Sequence, residues 1–192
     1  MRQVPSLLIA QALSISPPQK PTFFPIFTTD SRKITPGCFF VAIPGDRFDG
    51  NDFVEDAVQK GAGAVLYNRP LSTDKFNQLS SSAWLIQVPD TTEALRQIAF
   101  HWRKEFKIPV LAVGGSAGKT TTKEFLSAML RGKFKKVLKT QGSQNGFLGI
   151  PMTLMELETS HEAAVIEIGI DDVGAMKQHA ELVVPTLSVL TS

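Results

Sequence analysis

One short stretch of this chain, Gly114-Gly115-Ser116-Ala117-Gly118-Lys119-Thr120-Thr121, concentrates the residue types that hold phosphate. Glycines let backbone amides turn inward around phosphate oxygens, the N-terminus of a following helix adds partial positive charge, and a lysine reaches the outer phosphates. Gly115, Ser116, Ala117, Gly118, Lys119, Thr120 and Thr121 are therefore the candidate contacts to ATP, and Thr120 would offer its hydroxyl to magnesium. The strict form of this loop has glycine five positions before Gly118, where Val113 stands. A tight strand-to-helix turn without a ligand would also use glycine. The sequence offers no packing reason for Gly114, Gly115 and Gly118 together, which favours the phosphate reading.

A second residue supports it. Glu167 interrupts the apolar run Ala163-Ala164-Val165-Ile166-Glu167-Ile168-Gly169, and stripping a buried charge of its partner costs ~3–5 kcal/mol. At the carboxyl end of a strand beside the loop, the magnesium carried by ATP would be that partner. Lys119 and Glu167 are the candidate catalytic residues, with Thr120 and Glu167 as metal ligands. An edge-strand glutamate facing water is the competing reading, and it fits less well because the run is apolar on both sides.

The elements that must position these residues follow from pattern. Short apolar runs at residues 110–113, 136–138, 163–168 and 186–190, separated by helical segments, predict a parallel sheet covered on both faces. The phosphate loop lies between the first run and a helix carrying Phe125, Leu126, Met129 and Leu130. The last strand runs to Thr191 and Ser192 with no loop beyond it, so the sequence is expected to stop inside a domain. Upstream, residues 1–15 read as a short helix and linker, ended by the prolines at 17, 18 and 21. Residues 38–43, 64–67 and 84–88 read as strands and 53–60 as a helix. Asp90 with Glu93 reads as a helix start, and Ala94, Leu95, Ile98, Ala99, Trp102 and Phe106 form a face that packs against a sheet or between domains. The expected boundary lies near Lys107, giving domains 1–106 and 107–192.

A hydrophobic content of 43% with 20% charged residues places the chain among folded globular proteins. Twenty basic against eighteen acidic side chains leave a net charge of +2, too little for a nucleic-acid or membrane surface. Small-molecule partners, a monomer and no membrane insertion are expected. The single cysteine, Cys38, excludes a disulfide framework and fits the cytoplasm. It reads as a small buried hydrophobe, and His101, His161 and His179 lack metal-site spacing and read as structural or solvated.

From about Thr28 onward the sequence resembles the Mur ligases. Gly-Ser-Ala-Gly-Lys-Thr-Thr-Thr-Lys-Glu at 115–124 is similar to that family's phosphate loop, a form that accommodates Val113. Asp30-Ser31-Arg32, Pro36-Gly37, Phe40-Val41-Ala42 and Gly45-Asp46-Arg47-Phe48-Asp49-Gly50 resemble its uridine-nucleotide domain, with Asn51 where histidine is common. The segment Thr140-Gln141-Gly142-Ser143-Gln144-Asn145-Gly146-Phe147-Leu148-Gly149-Ile150-Pro151 resembles the branch that adds D-alanyl-D-alanine, although Ser143 and Gly146 replace asparagines.

The resemblance implies an α/β protein: an N-terminal uridine-nucleotide-binding domain, then a truncated P-loop domain with a mostly parallel sheet. It implies that Ser31, Asp46, Arg47 and Phe48 lie by the uridine diphosphate of UDP-N-acetylmuramoyl tripeptide, and Thr140 and Asn145 near the muramoyl peptide or metal. Without it, those residues would read as ordinary loop polar groups. The implied chemistry is peptidoglycan-precursor amide ligation. The tripeptide carboxylate takes the γ-phosphoryl group of ATP to form an acyl phosphate, and the amine of D-alanyl-D-alanine displaces phosphate. In the family the strand ending at Ser192 is followed by an asparagine, a metal-binding histidine, a modified lysine and a C-terminal domain, so these 192 residues alone are expected to show no turnover. The rival readings are the branch that adds the third amino acid, a folylpolyglutamate synthetase, and a non-catalytic uridine-nucleotide module. The Asp-Ser-Arg block argues against the folate branch.

Overall fold

The structure, a computed structural model, describes residues 3–192 except Asp46, Asp171 and Asp172. In chain order the elements are β1 (Val4–Pro5), α1 (Ser6–Leu13), β2 (Phe23–Phe24), β3 (Phe27–Thr28), β4 (Phe39–Val41), α2 (Val54–Gln59), β5 (Ala64–Tyr67), α3 (Thr73–Ser80), β6 (Trp84–Gln87) and α4 (Thr91–Lys104). They continue with β7 (Val110–Gly115), α5 (Lys119–Arg131), β8 (Val137–Lys139), α6 (Gly149–Leu154), β9 (Ala163–Glu167), α7 (Ala175–Val183) and β10 (Leu187–Thr191). Contacts divide the chain into two compact units, the division falling inside α4 after Ile98.

In the first unit a parallel sheet of order β3-β4-β5-β6 pairs Phe40 with Val65 and Val65 with Leu85. Parallel strands covered on both faces read as continuous apolar runs, and every residue of β4 and β5 is buried. Phe40, Val65 and Tyr67 pack with Val54, Ala57 and Leu79 on one side. On the other, Phe39 stacks on Phe27 with centroids 4.6 Å apart and meets Phe24 edge-on at 5.2 Å. The alternation of one strand thus fills two layers. Cys38 is fully buried, and burial pushes its thiol pKa up.

Helix α4 begins where the sequence signals it: the Asp90 carboxylate accepts from the backbone N–H of Thr92 at 2.8 Å and of Glu93 at 3.0 Å. Its first residue, Thr91, donates its hydroxyl to the Ala42 carbonyl of the first unit. Four elements were not expected from the sequence. Helix α3 has Leu79 as its one buried residue, so it carries almost no apolar period to read. The two-residue strands β1 and β2 pair antiparallel, and β3 is equally brief, below the length at which alternation is legible.

The second unit holds a parallel sheet of order β10-β7-β9-β8. Its four strands are the four apolar runs of the sequence, and β9 lies between β7 and β8, so Glu167 is on an interior strand. The carboxyl ends of all four strands gather at one edge, where ligands of open α/β sheets bind. At the other edge the buried Arg103 guanidinium donates to the carbonyls of Phe106, Val183 and Val184 at 2.7, 2.9 and 3.0 Å. It thereby satisfies the end of α7 where Val184 turns left-handed with φ 46°, a strained state for a β-branched residue.

Candidate functional site

The phosphate loop leaves β7 at Gly115 and enters α5 at Lys119. Gly115 has φ +133°, and a Cβ there would fall 2.1 Å from the Thr191 carbonyl oxygen, so no other residue fits. Gly118 caps α5 in the left-handed region with φ 76°, and no side chain caps the helix. The first amides of α5 are therefore left for an external acceptor, and Ser116, Ala117 and Gly118 around them are exposed. A Cβ on Gly114 would press on Met176 at 3.3 Å and Leu190 at 3.4 Å. Two of the three glycines thus have a packing reason as well, contrary to the expectation from sequence. The last strand comes so close to the loop that only hydrogen atoms fit between them.

Thr191 ties that strand to the loop. Its hydroxyl lies 3.1 Å from the Gly114 carbonyl and also reaches the Ala117 carbonyl, while the Ala117 N–H donates to the Ser192 carbonyl at 3.0 Å. The Lys119 ammonium folds back over the loop, donating to the Gly115 carbonyl at 2.7 Å and lying 3.5 Å from that of Ser116. These backbone oxygens occupy the lysine at the mouth of the cradle. Thr121 is exposed beside them.

Glu167 closes the site from β9. Its side chain is 2% exposed, and partners surround it. The Thr120 hydroxyl donates to Oε2 at 3.1 Å and the Asn145 amide to Oε1 at 2.9 Å, while the Lys123 ammonium stands 3.5 Å from Oε2. The backbone N–H of Glu167 donates to the Thr140 hydroxyl at 2.9 Å, and Thr140 is wholly buried. The predicted residues Lys119, Thr120, Thr140, Asn145 and Glu167 thus meet at one sheet edge. The carboxylate does not wait on a cation for its partner, as the sequence suggested, because the protein supplies three. A carboxylate and a threonine hydroxyl at the end of a phosphate cradle are hard oxygen donors, the set from which magnesium takes one or two ligands before completing its shell with phosphate and water. The donors present fit that ion. Among the described residues no three His, Cys, Asp or Glu side chains cluster as a self-sufficient metal cage.

Sequence reasoning missed Lys123. The apolar residues Phe125 and Met129 that marked α5 as a helix are exposed, and the residues it buries are Lys123 and Ser127. Spacing held the signal: Lys123 follows Thr120 by three residues and Lys119 by four, which puts it on the same helix face.

The first unit carries a separate cavity of about 640 Å³ whose lining includes Asp30, Ser31, Arg32, Phe40, Phe48 and Phe53. Ser31 and Phe48 are brought together there, and Phe48 is 79% exposed. Arg47 does not line it, and Asp46 lies outside the described residues. Asp30 caps the short turn Ser31–Lys33 and grips Arg32 through Nε at 2.8 Å and Nη2 at 2.9 Å. The Arg32 guanidinium, with its backbone N–H, holds the Asp30 carboxyl down at about 2.

Asn51 is a second residue the sequence left open. Its amide donates to Asp49 Oδ1 at 2.7 Å and Asn68 Oδ1 at 2.8 Å, and its oxygen accepts from the N–H groups of Asn68 and Arg69, both at 3.1 Å. Every bonding position of the side chain is used, so it pins the loop carrying Phe48 to the end of β5. Arg69 locks the same loop through Asp49 and Asp52. The histidines are structural as expected where the contacts show it: His161 Nδ1 accepts from the Glu158 N–H at 3.1 Å, and His179 is buried with its ring 4.7 Å from that of Phe147.

A glycine cradle at a helix N-terminus, with a lysine inside it and a buried carboxylate on the neighbouring parallel strand, defines a P-loop protein of the α/β class. The chain belongs to the Mur ligase family: the model for the Mur ligase family catalytic domain matches residues 25–103 and that for the Mur ligase middle domain residues 113–192. It is 39% identical over 165 residues to the UDP-N-acetylmuramoyl-tripeptide--D-alanyl-D-alanine ligase of Escherichia coli, covering 86% of this chain and 34% of that protein. A crystal structure of MurF from Acinetobacter baumannii superposes with a TM-score of 0.84 at 31% identity, covering 99% of this chain and 41% of the other. The Thermotoga maritima MurF ligase in complex with ADP superposes with a TM-score of 0.75 at 31% identity, over 85% of this chain and 36% of that one. The chain spans about a third of the length of the curated relatives it matches.

Proposed function

We propose that this chain is the nucleotide-binding part of an ATP-dependent amide ligase that joins D-alanyl-D-alanine to UDP-N-acetylmuramoyl tripeptide in peptidoglycan precursor synthesis. The observation that carries the reading is the meeting of Lys119, Thr120, Asn145 and the buried Glu167 at the open end of the phosphate loop. In this reading residues 107–192 form the ATP domain and 1–106 the UDP-muramoyl-peptide domain, with Ser31, Asp46, Arg47 and Phe48 at the uridine diphosphate. Likeness to the ADP-bound ligase supports the nucleotide assignment. The protein works in the cytoplasm as a monomer; among the described residues no helix is long and apolar enough to cross a membrane.

The chain's own residues divide the work. The uncapped amides at the start of α5 bind the phosphate oxygens, and Lys119, released from its two carbonyls, moves onto the outer phosphates and holds positive charge there. Thr120 and Glu167 would hold magnesium, which when bound neutralises charge on the transferred phosphoryl group. Asn145 holds the Glu167 carboxylate and Thr140 accepts from its backbone N–H. No side-chain nucleophile is needed, because the tripeptide carboxylate attacks and the incoming amine displaces phosphate.

A thermal-shift series tests the reading, since only a ligand of the folded state raises the melting temperature, by about 2.7 kcal/mol of stability at a hundredfold excess over Kd. ATP with magnesium and UDP-muramoyl tripeptide are expected to stabilise the protein and folate to leave it unchanged. Stabilisation by folate but not by the tripeptide would move the protein to the folate branch, and stabilisation by UDP but not ATP would make it a binding module. A coupled phosphate-release assay on the 192 residues alone is expected to show no turnover.

A further inference from the structure

Lys123 is a charge that the reading above does not use. Its side chain is 1% exposed, a state lysine almost never reaches unless paired. The ammonium donates to the Gly142 carbonyl at 3.3 Å and stands 3.5 Å from one oxygen each of Glu167 and Glu124. Glu124 is exposed and its other oxygen is engaged by Lys139. Of the two carboxylates beside Lys123, Glu167 is the buried one.

Packing alone does not account for a lysine here. An apolar side chain of similar length would fill the same space without the cost of desolvating an ammonium, and replacing buried ion pairs by well-packed apolar residues is often neutral or stabilising. Helix α5 instead turns Phe125 and Met129 outward and keeps the charge inside. What the charge reaches is informative. Glu167 Oε1 is held by Asn145, and Oε2 is shared by Thr120 and Lys123. Gly142 belongs to the 140–145 segment that also supplies Thr140 and Asn145, so one ammonium links α5, that segment and the end of β9.

The geometry points to Lys123 as a positioning residue of the cation and nucleotide site. It fixes the Glu167 carboxylate and, through Gly142, the segment that orients it, so that an arriving magnesium–nucleotide meets a ligand already in place. This rests on the nucleotide reading above. Partners behind a metal ligand typically contribute about 10–100-fold to metal affinity, and here the partner stands on the same helix that receives the phosphates.

The test is a double-mutant cycle on the full chain with Lys123→Met, Glu167→Gln and both together, reading ADP affinity by calorimetry in magnesium and again in EDTA. Lys123→Met is expected to lower ADP affinity in magnesium about tenfold while leaving affinity in EDTA within about twofold, the span left by an indirect effect. In the Glu167→Gln background the same substitution is expected to cause no further loss, because its target is gone. A merely structural lysine would weaken binding equally in magnesium and EDTA, and that result overturns the proposal, as does unchanged affinity or full additivity of the two substitutions. If Lys123→Met alone does not fold, the double variant, which buries no unpaired charge, is compared with Glu167→Gln: equal affinities support the role and a further fall overturns it. Wild-type protein that binds no ADP in magnesium would instead sink the nucleotide reading itself.

Discussion

The two units are both four-stranded parallel sheets, yet they place their chemistry in opposite ways. In the second unit the polar groups lie inside: Glu167, Lys123 and Thr140 are buried at the carboxyl edge and satisfy one another. In the first, the central strands β4 and β5 carry no charged residue, and the polar groups ride on loops, with Phe48 and Arg32 exposed around the cavity. Buried charge is costly to misplace and so holds a fixed arrangement. A loop site is held by its anchors, here Asn51 and the Asp49–Arg69–Asp52 group. Damage to the buried groups of either unit should therefore cost fold or cation binding, and damage to the exposed groups should separate binding from stability.

The largest expected effect is at Gly115. Gly115→Val must clear both the positive φ and the Thr191 carbonyl and is expected to cost about 3 kcal/mol or more, read from the urea unfolding midpoint. A loss below about 1 kcal/mol would mean the last strand is not pressed against the loop. Next comes Lys119→Ala, whose partners in this structure are backbone carbonyls at the loop mouth. It should lower nucleotide affinity by about 2 kcal/mol, roughly thirtyfold, through loss of a charged hydrogen bond to phosphate, while the melting temperature stays near wild type.

Asn51→Ala should cost the first unit about 2 kcal/mol, since it leaves the N–H groups of Asn68 and Arg69 without their acceptor. Chemical denaturation measures this, and a neutral result would show the loop anchored elsewhere. Phe48→Ala should leave stability within about 0.5 kcal/mol and weaken uridine-nucleotide binding by about 1 kcal/mol if the ring stacks on the base; a drop in stability instead would break the contrast between the units.

The smallest effect is a titration. Asp30 is held at about 2, below its ordinary 3.8, by the Arg32 side chain and backbone N–H. A carboxyl depressed on folding contributes stability that is present above its unfolded value and lost as pH falls from about 3.8 toward about 2. Arg32→Ala should return the Asp30 midpoint toward 3.8 in a carbon-detected NMR titration. A midpoint unmoved by the substitution would assign the depression to the cap alone.

Much of this was legible beforehand for a definite reason. Strand β5 runs over the residues that its apolar run marks, and β7 extends past Val113 only to take in Gly114 and Gly115, because buried parallel strands need continuous apolar sequence between turn residues. The Asp90 cap was visible for the same local reason. Lys123 was not, because a lysine in a polar stretch reads as solvated until a neighbouring strand is known to carry a carboxylate beside it. Asn51 was obscured likewise, its partners lying 17 and 18 residues away. The packing need at Gly114 and Gly115 was hidden because it comes from Met176 and Thr191.

By itself the sequence determined the four strands of the second sheet, the start of α4, the glycine-rich loop and the family, all of which depend on neighbours along the chain. Tertiary structure decided which strand is interior, who neutralises Glu167, and why Gly115 admits no side chain while Gly114 is tightly packed. Those are pairings across long stretches of sequence, and they exist only once loop closure has brought distant segments to one edge of the sheet.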